Sequence, residues 1–160
     1  MKKLMASKKP DYEQIDLRII AFFQKTFVPV ARISIFFVFF WFGCIKLLGL
    51  SPASPLAQAL TEKTVGMLYF DALFMILAAI ECIIGVLFLF PKMTRLVIPL
   101  LLFHMIIVCS PLLLVPEYTW QGFLVPTLEG QYIIKNAVVV AVAIGIAAST
   151  IPLRQTTAKS

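Results

Sequence analysis

Charge is scarce in this chain. Asp, Glu, Lys and Arg make up 14% of its 160 residues, against 61% hydrophobic residues. Soluble domains are about a quarter charged and about half apolar, so the shortage excludes a soluble core of this size. Histidine is almost missing too. His104 is the one in the sequence, which excludes a bis-histidine haem and any multi-histidine metal site. The three cysteines, Cys44, Cys82 and Cys109, all lie inside apolar runs, and no Cys-x-x-Cys occurs. They are expected to be small core hydrophobes, with neither a disulfide framework nor thiol-relay chemistry. No nucleotide-binding loop, nucleophile motif or paired-carboxylate signature appears, so there is no self-sufficient catalytic motif.

What is present is apolar sequence in long runs. A helix rises about 1.5 Å per residue and the hydrocarbon layer is about 30 Å thick, so roughly 18 apolar residues or more mark a span. Such runs cover about Ala31 to Leu48, Leu68 to Phe90, the stretch after Arg95 to Val115, and Gln131 to Ile151. The expected fold is all-α, an integral membrane four-helix bundle. Ahead of it, residues 1–30 read as a polar tail and an amphipathic helix, and residues 152–160 as a second tail. Ile15, Ile19, Phe22, Phe23 and Phe27 can share one face, with Arg18 and Lys25 placed to reach headgroups. An interfacial helix over Ile15–Val30 is the expectation; the alternative is a polar extension of the first span.

Breakers divide the runs. After Gly49, Ser54 before Pro55 predicts a capped surface helix to about Glu62. Lys92 and Arg95 mark a short turn. Pro99 and Pro111 are expected to kink the third span. Pro116 to Gly130 reads as a loop rich in interface-seeking Tyr118, Trp120 and Phe123.

The net charge of +6 comes from flanks of spans and does not point to nucleic acid. Eleven of the 14 Lys and Arg residues fall on the side holding both termini and the Lys92–Arg95 turn. The positive-inside rule then places that side in the cytoplasm. No apolar stretch and small-residue cleavage site follow the first lysines, so the N-terminus is expected to be retained.

Ionisable groups in lipid cost roughly 2.5–3.5 kcal/mol each on insertion scales. Here Lys46, Asp71, Glu81, His104 and Lys135 fall inside spans. Lys46, Asp71, Glu129 and Lys135 are expected to form a charged cluster near the outer surface, with Glu81 and His104 deeper. At about 1.5 Å per residue, Glu81 lies roughly 20 Å below the outer end of span two. Glu81 is expected to face the bundle interior and be charge-linked to Lys46, Lys135 or both, and at that depth a direct contact could need a water, His104 or a ligand between. Lys46 and Lys135 could instead simply reach for headgroups, Glu81 could only hydrogen-bond a neighbouring helix, and His104 could be a packing residue. Arg32, Phe36, Phe39, Gly43 and Lys46 form one stripe of span one; Phe74, Ala78, Glu81, Gly85 and Phe88 form one of span two. Gly43 and Gly85 would let helices approach closely. Ala137, Ala141, Gly145 and Ser149 make a small-xxx-small ladder for helix packing.

These residues resemble the DoxX-like family of small bacterial inner-membrane proteins, nearest its RclC/YkgB-type branch linked to reactive-chlorine resistance. The matching pieces are Arg32-Ile33-Ser34-Ile35 leading to Trp41-Phe42-Gly43-Cys44-Ile45-Lys46, then Glu81-Cys82-Ile83-Ile84-Gly85, and Gly130-Gln131-Tyr132-Ile133-Ile134-Lys135. The resemblance implies a multi-pass inner-membrane protein serving as a non-catalytic subunit that docks a redox or oxidative-stress partner. A quinone is the cofactor it suggests. Expected partners are the lipid bilayer, a redox protein and further copies of the chain. A small transporter or proton-conducting protein, using Glu81 and the outer charges, is the competing expectation.

Overall fold

A computed structural model describes residues 11–150. The basic residues expected in the two tails, Lys2, Lys3, Lys8, Lys9, Arg154 and Lys159, and the expected end of span four at Ile151, lie outside the described residues. Four helical stretches are long and apolar enough to cross a membrane, at Asp11–Leu47, Met67–Phe88, Pro91–Leu114 and Leu128–Ala148. The chain is an all-α, multi-pass membrane protein.

Helix α1 runs unbroken over Asp11–Leu47, 37 residues including Pro29. At 1.5 Å per residue that is about 55 Å, well beyond the roughly 30 Å of hydrocarbon. The amphipathic segment is therefore no separate element: it is the N-terminal part of the first spanning helix. Burial begins at Ala31 and Arg32, so the packed part of α1 starts where the first span was expected. Phe27 already reaches the fourth spanning helix, since a Cβ on Gly145 would lie 2.9 Å from its ring.

Gly49, at φ +70°, takes the left-handed conformation that closes α1. Helix α2 spans Ser54–Thr64. Its N-cap is Ala53 and not the expected Ser54. The Ser54 hydroxyl turns back to the Ser51 carbonyl at 2.9 Å instead, because a serine oxygen can equally serve a local turn.

Helix α3 covers Phe70–Phe88 and α4 covers Thr94–Cys109. A single 3-10 turn, Pro91–Met93, joins them. Pro99 stays within α4, whereas Pro111 starts a new short helix, α5 (Pro111–Leu114). The segment expected as a loop is ordered. It forms α6 (Pro116–Thr119) and a hairpin of β1 (Trp120–Gly122) with β2 (Val125–Pro126). Leu124, at φ 57°, makes its tight turn. Trp120 Nε1 donates to the Leu112 carbonyl at 3.0 Å and ties the hairpin to α5. Thr127 caps α7 (Leu128–Ala148) by accepting from the Gly130 amide at 3.1 Å.

The spanning helices neighbour one another in a ring, α1 to α3, α3 to α4, α4 to α7 and α7 back to α1. The α1–α3 contact is the tightest. A Cβ on Gly43 would sit 2.9 Å from the Ala78 carbonyl, and one on Gly85 would sit 2.8 Å from the Phe40 amide nitrogen. These pairings run in opposite directions along the two helices, so α1 and α3 are antiparallel. Both glycines do what the sequence stripe assigned to them. The α7 ladder does not: Ala137, Ala141 and Ser149 are exposed. The buried face of α7 carries Gly130, Ile133, Ala143 and Ile146. The core is otherwise apolar, built on Ile35, Phe39, Ile84, Phe88, Val97 and Leu101.

Candidate functional site

Three ionisable side chains from three helices meet inside this bundle. Lys46 Nζ lies 2.7 Å from Glu81 Oε1 and 2.5 Å from Oε2, so the ammonium is held by the whole carboxylate. His104 Nε2 stands 3.4 Å from Glu81 Oε1. The side chains of Lys46 and Glu81 are 11% and 8% exposed, and His104 is 2% exposed. The ring of Phe39 meets His104 edge-on at 5.7 Å between centroids.

The Lys46–Glu81 pair is the expected charge link, made directly and without the intermediary that the depth of Glu81 suggested. The depth estimate assumed that spans one and two end level. They do not, because Gly43 packs at the height of Ala78 and Cys82, so α1 stops about two turns short of the start of α3. Direction closes the remaining offset. In a helix each Cα–Cβ bond tilts towards the N-terminus. On antiparallel helices that tilt sends Lys46 back towards the start of α1 and Glu81 back towards the start of α3, each towards the other.

A carboxylate is acceptor-only, so the histidine nitrogen facing it carries the proton. That leaves Nδ1 as the second ring position. It is buried and has no hydrogen-bond partner among the described residues. In the neutral ring Nδ1 is an acceptor, and in the charged ring it is a donor. The site therefore has one unused polar valence, at His104 Nδ1.

The other expected members stand apart. Lys135 lies two positions from the buried Ile133, about 200° around the helix at 3.6 residues per turn. It is exposed and sits over the Tyr132 ring, 5.1 Å from the centroid. Asp71 and Glu129 are exposed in the first turns of α3 and α7, where negative charge complements the helix dipole. No outer cluster of Lys46, Asp71, Glu129 and Lys135 forms among the described residues. Helices α2 and α6 instead share an exposed pair, Lys63 with Glu117 at 3.5 Å, a contact worth little in water.

Arg32, expected on the stripe of Gly43 and Lys46 and among the flanking basic residues, is a second buried cation. Arg32 is 8% exposed. It donates to the Phe88 carbonyl at 3.1 Å and to Thr94 Oγ1 at 2.5 Å. Thr94 in turn donates to the Pro91 carbonyl at 2.6 Å. A guanidinium on the last carbonyls of α3 satisfies orphan acceptors at the negative end of a helix dipole. Arg32 thus clamps the α3–α4 turn. Its place on the same stripe as Gly43 and Lys46 was the available signal; nothing in the sequence singled out Thr94. Between this clamp and the triad lie Ile84, Phe88, Val97 and Leu101, all fully buried. They form an apolar layer inside the bundle.

Neither family models, curated proteins nor solved structures yield any match to this chain.

Proposed function

We propose that this chain is a non-catalytic membrane subunit that docks a redox or oxidative-stress partner and offers a quinone-type headgroup a polar site at His104. The unused, buried Nδ1 of His104 carries the reading. A quinol hydroxyl can donate to that nitrogen in the neutral ring, and a quinone carbonyl can accept from it in the charged ring. Glu81, held in turn by Lys46, fixes the ring from the other side. The DoxX-like resemblance agrees with this reading. The test is purification in mild detergent from native membranes, followed by lipid extraction and identification of co-eluting proteins. A bound quinone or a stoichiometric redox protein is expected, and the quinone is expected to be lost in His104→Phe. A lone protein without quinone would overturn the proposal.

The consecutive contacts Lys46–Glu81–His104 also suit a proton relay. The apolar layer of Ile84, Phe88, Val97 and Leu101 favours the subunit reading, because its side chains offer a proton no hydrogen-bonding group. The proposed setting is the bacterial inner membrane with both termini cytoplasmic. Reporters active in one compartment only, fused after Arg154 and inserted at Gly66, are expected to report opposite sides. The same side for both would sink the four-span orientation.

A further inference from the structure

The cysteines offer a site independent of the polar cluster. Cys44 Sγ and Cys82 Sγ lie 4.0 Å apart across the α1–α3 seam, although 38 residues separate them in sequence. The seam brings them there. A side chain at position 43 would collide with Cys82 Sγ, at 2.6 Å from its Cβ, so Gly43 is what lets the two thiols face each other. Both cysteines are free and half-buried. A disulfide needs about 2.05 Å between sulfurs, so the thiols must close by roughly 2 Å, within the range of side-chain rotation.

The second observation is access. Cys82 lines a groove of about 240 Å³ with Ile83, Val86 and Leu87 on the outer face of α3. Every other lining group is aliphatic, and Ile83 is 51% exposed. This surface belongs to a spanning helix, so the groove opens to lipid. An oxidant reaching Cys82 this way must itself be lipid-soluble.

Against the expectation of inert core thiols, we propose that Cys44 and Cys82 form a membrane-embedded dithiol that one lipid hydroperoxide oxidises, stoichiometrically, to a disulfide, which leaves the docking role non-catalytic. Cys82 sulfur attacks the terminal peroxide oxygen. An S–O bond forms, the O–O bond breaks, and the thiol proton leaves with the alkoxide as a lipid alcohol. The Cys44 sulfur then attacks the resulting sulfenic acid. The S–S bond forms, the S–O bond breaks, and the Cys44 proton departs with hydroxide as water. Two thiols lose two electrons and the peroxide gains them. The disulfide links α1 to α3 beside Glu81, the residue before Cys82 in sequence.

The experiment uses the full chain in lipid nanodiscs, treated with cumene hydroperoxide and then alkylated. Cys109, which has no thiol partner among the described residues, is the internal control. The expected result is that two of the three cysteines escape alkylation, with loss of two hydrogens in mass, a peptide linking Cys44 to Cys82, and reversal by a phosphine. In Cys44→Ser, Cys82 is expected to be trapped as a sulfenic acid by dimedone. Hydrogen peroxide at equal concentration should react more slowly than the apolar hydroperoxide. Three alkylatable thiols after treatment, a link through Cys109 or between chains, or an equal rate with hydrogen peroxide would each overturn the proposal.

Discussion

Lys46→Met is expected to destabilise the bundle by about 3–5 kcal/mol, the usual cost of removing one partner from a buried ion pair. The Glu81 carboxylate would keep only His104, whose Nε2 is 3.4 Å away, in place of an ammonium touching both oxygens. Glu81 sits near the middle of α3 and its short side chain cannot reach a headgroup. Glu81→Leu should cost less. It strands Lys46, but that long stem lies in the last turn of α1 and can bend outward towards water. The double variant Lys46→Met with Glu81→Leu should recover most of the loss, since an apolar pair of similar volume replaces both charges. Unfolding with a denaturing detergent, run as a double-mutant cycle, measures the coupling. Additive losses would mean that the two side chains do not work as a pair. Glu81→Gln separates charge from shape, and a stability equal to wild type would show that hydrogen bonding alone suffices.

How much of this site was legible in the sequence depends on which geometry each residue needed. Membrane spans follow from run length alone, so four of them could be read directly. The stripe through Gly43 and Lys46 and the stripe through Glu81 and Gly85 follow from helical period, and the structure packs them against each other. Axial register between helices has no such local signal. It depends on where Gly43 and Gly85 let backbones touch, and that register is what brings Lys46 level with Glu81; Lys135 stays out of the cluster for a different reason, its position on the exposed face of α7. The thiol pair was hidden by the same lack of a register signal. The α7 ladder shows the reverse failure: the pattern of small residues was real, yet Ile133, Ala143 and Ile146 supply the packed face. The continuity of α1 through Pro29 was equally hard to see. Polar residues in its first turns resemble an interfacial helix by composition, and composition carries no information on whether the backbone bends.

Gly85→Leu tests the register on which both the triad and the dithiol depend. In an ordinary helix interior, replacing glycine gains up to about 1 kcal/mol in helix propensity. Here that gain is opposed by contact. A Cβ at position 85 would lie 2.8 Å from the Phe40 amide nitrogen and 3.1 Å from the Phe36 carbonyl. Both are backbone atoms in mid-helix, so no rotamer change relieves them and α1 must move away from α3. Overpacking of this kind typically costs about 1–3 kcal/mol, and the backbone partner puts Leu at the upper end, with Gly85→Ala losing less. Gly122→Ala is the control, since nothing lies within 4 Å of its Cβ position. The displacement should also be visible at a distance along the seam. If α1 and α3 separate at Gly85, the sulfurs of Cys44 and Cys82 part from their 4.0 Å contact, and oxidative linkage between them should fall. Wild-type stability together with undiminished linkage in Gly85→Leu would refute the close α1–α3 register. Lost stability with undiminished linkage would confine the disturbance to the Phe36–Phe40 end of the seam.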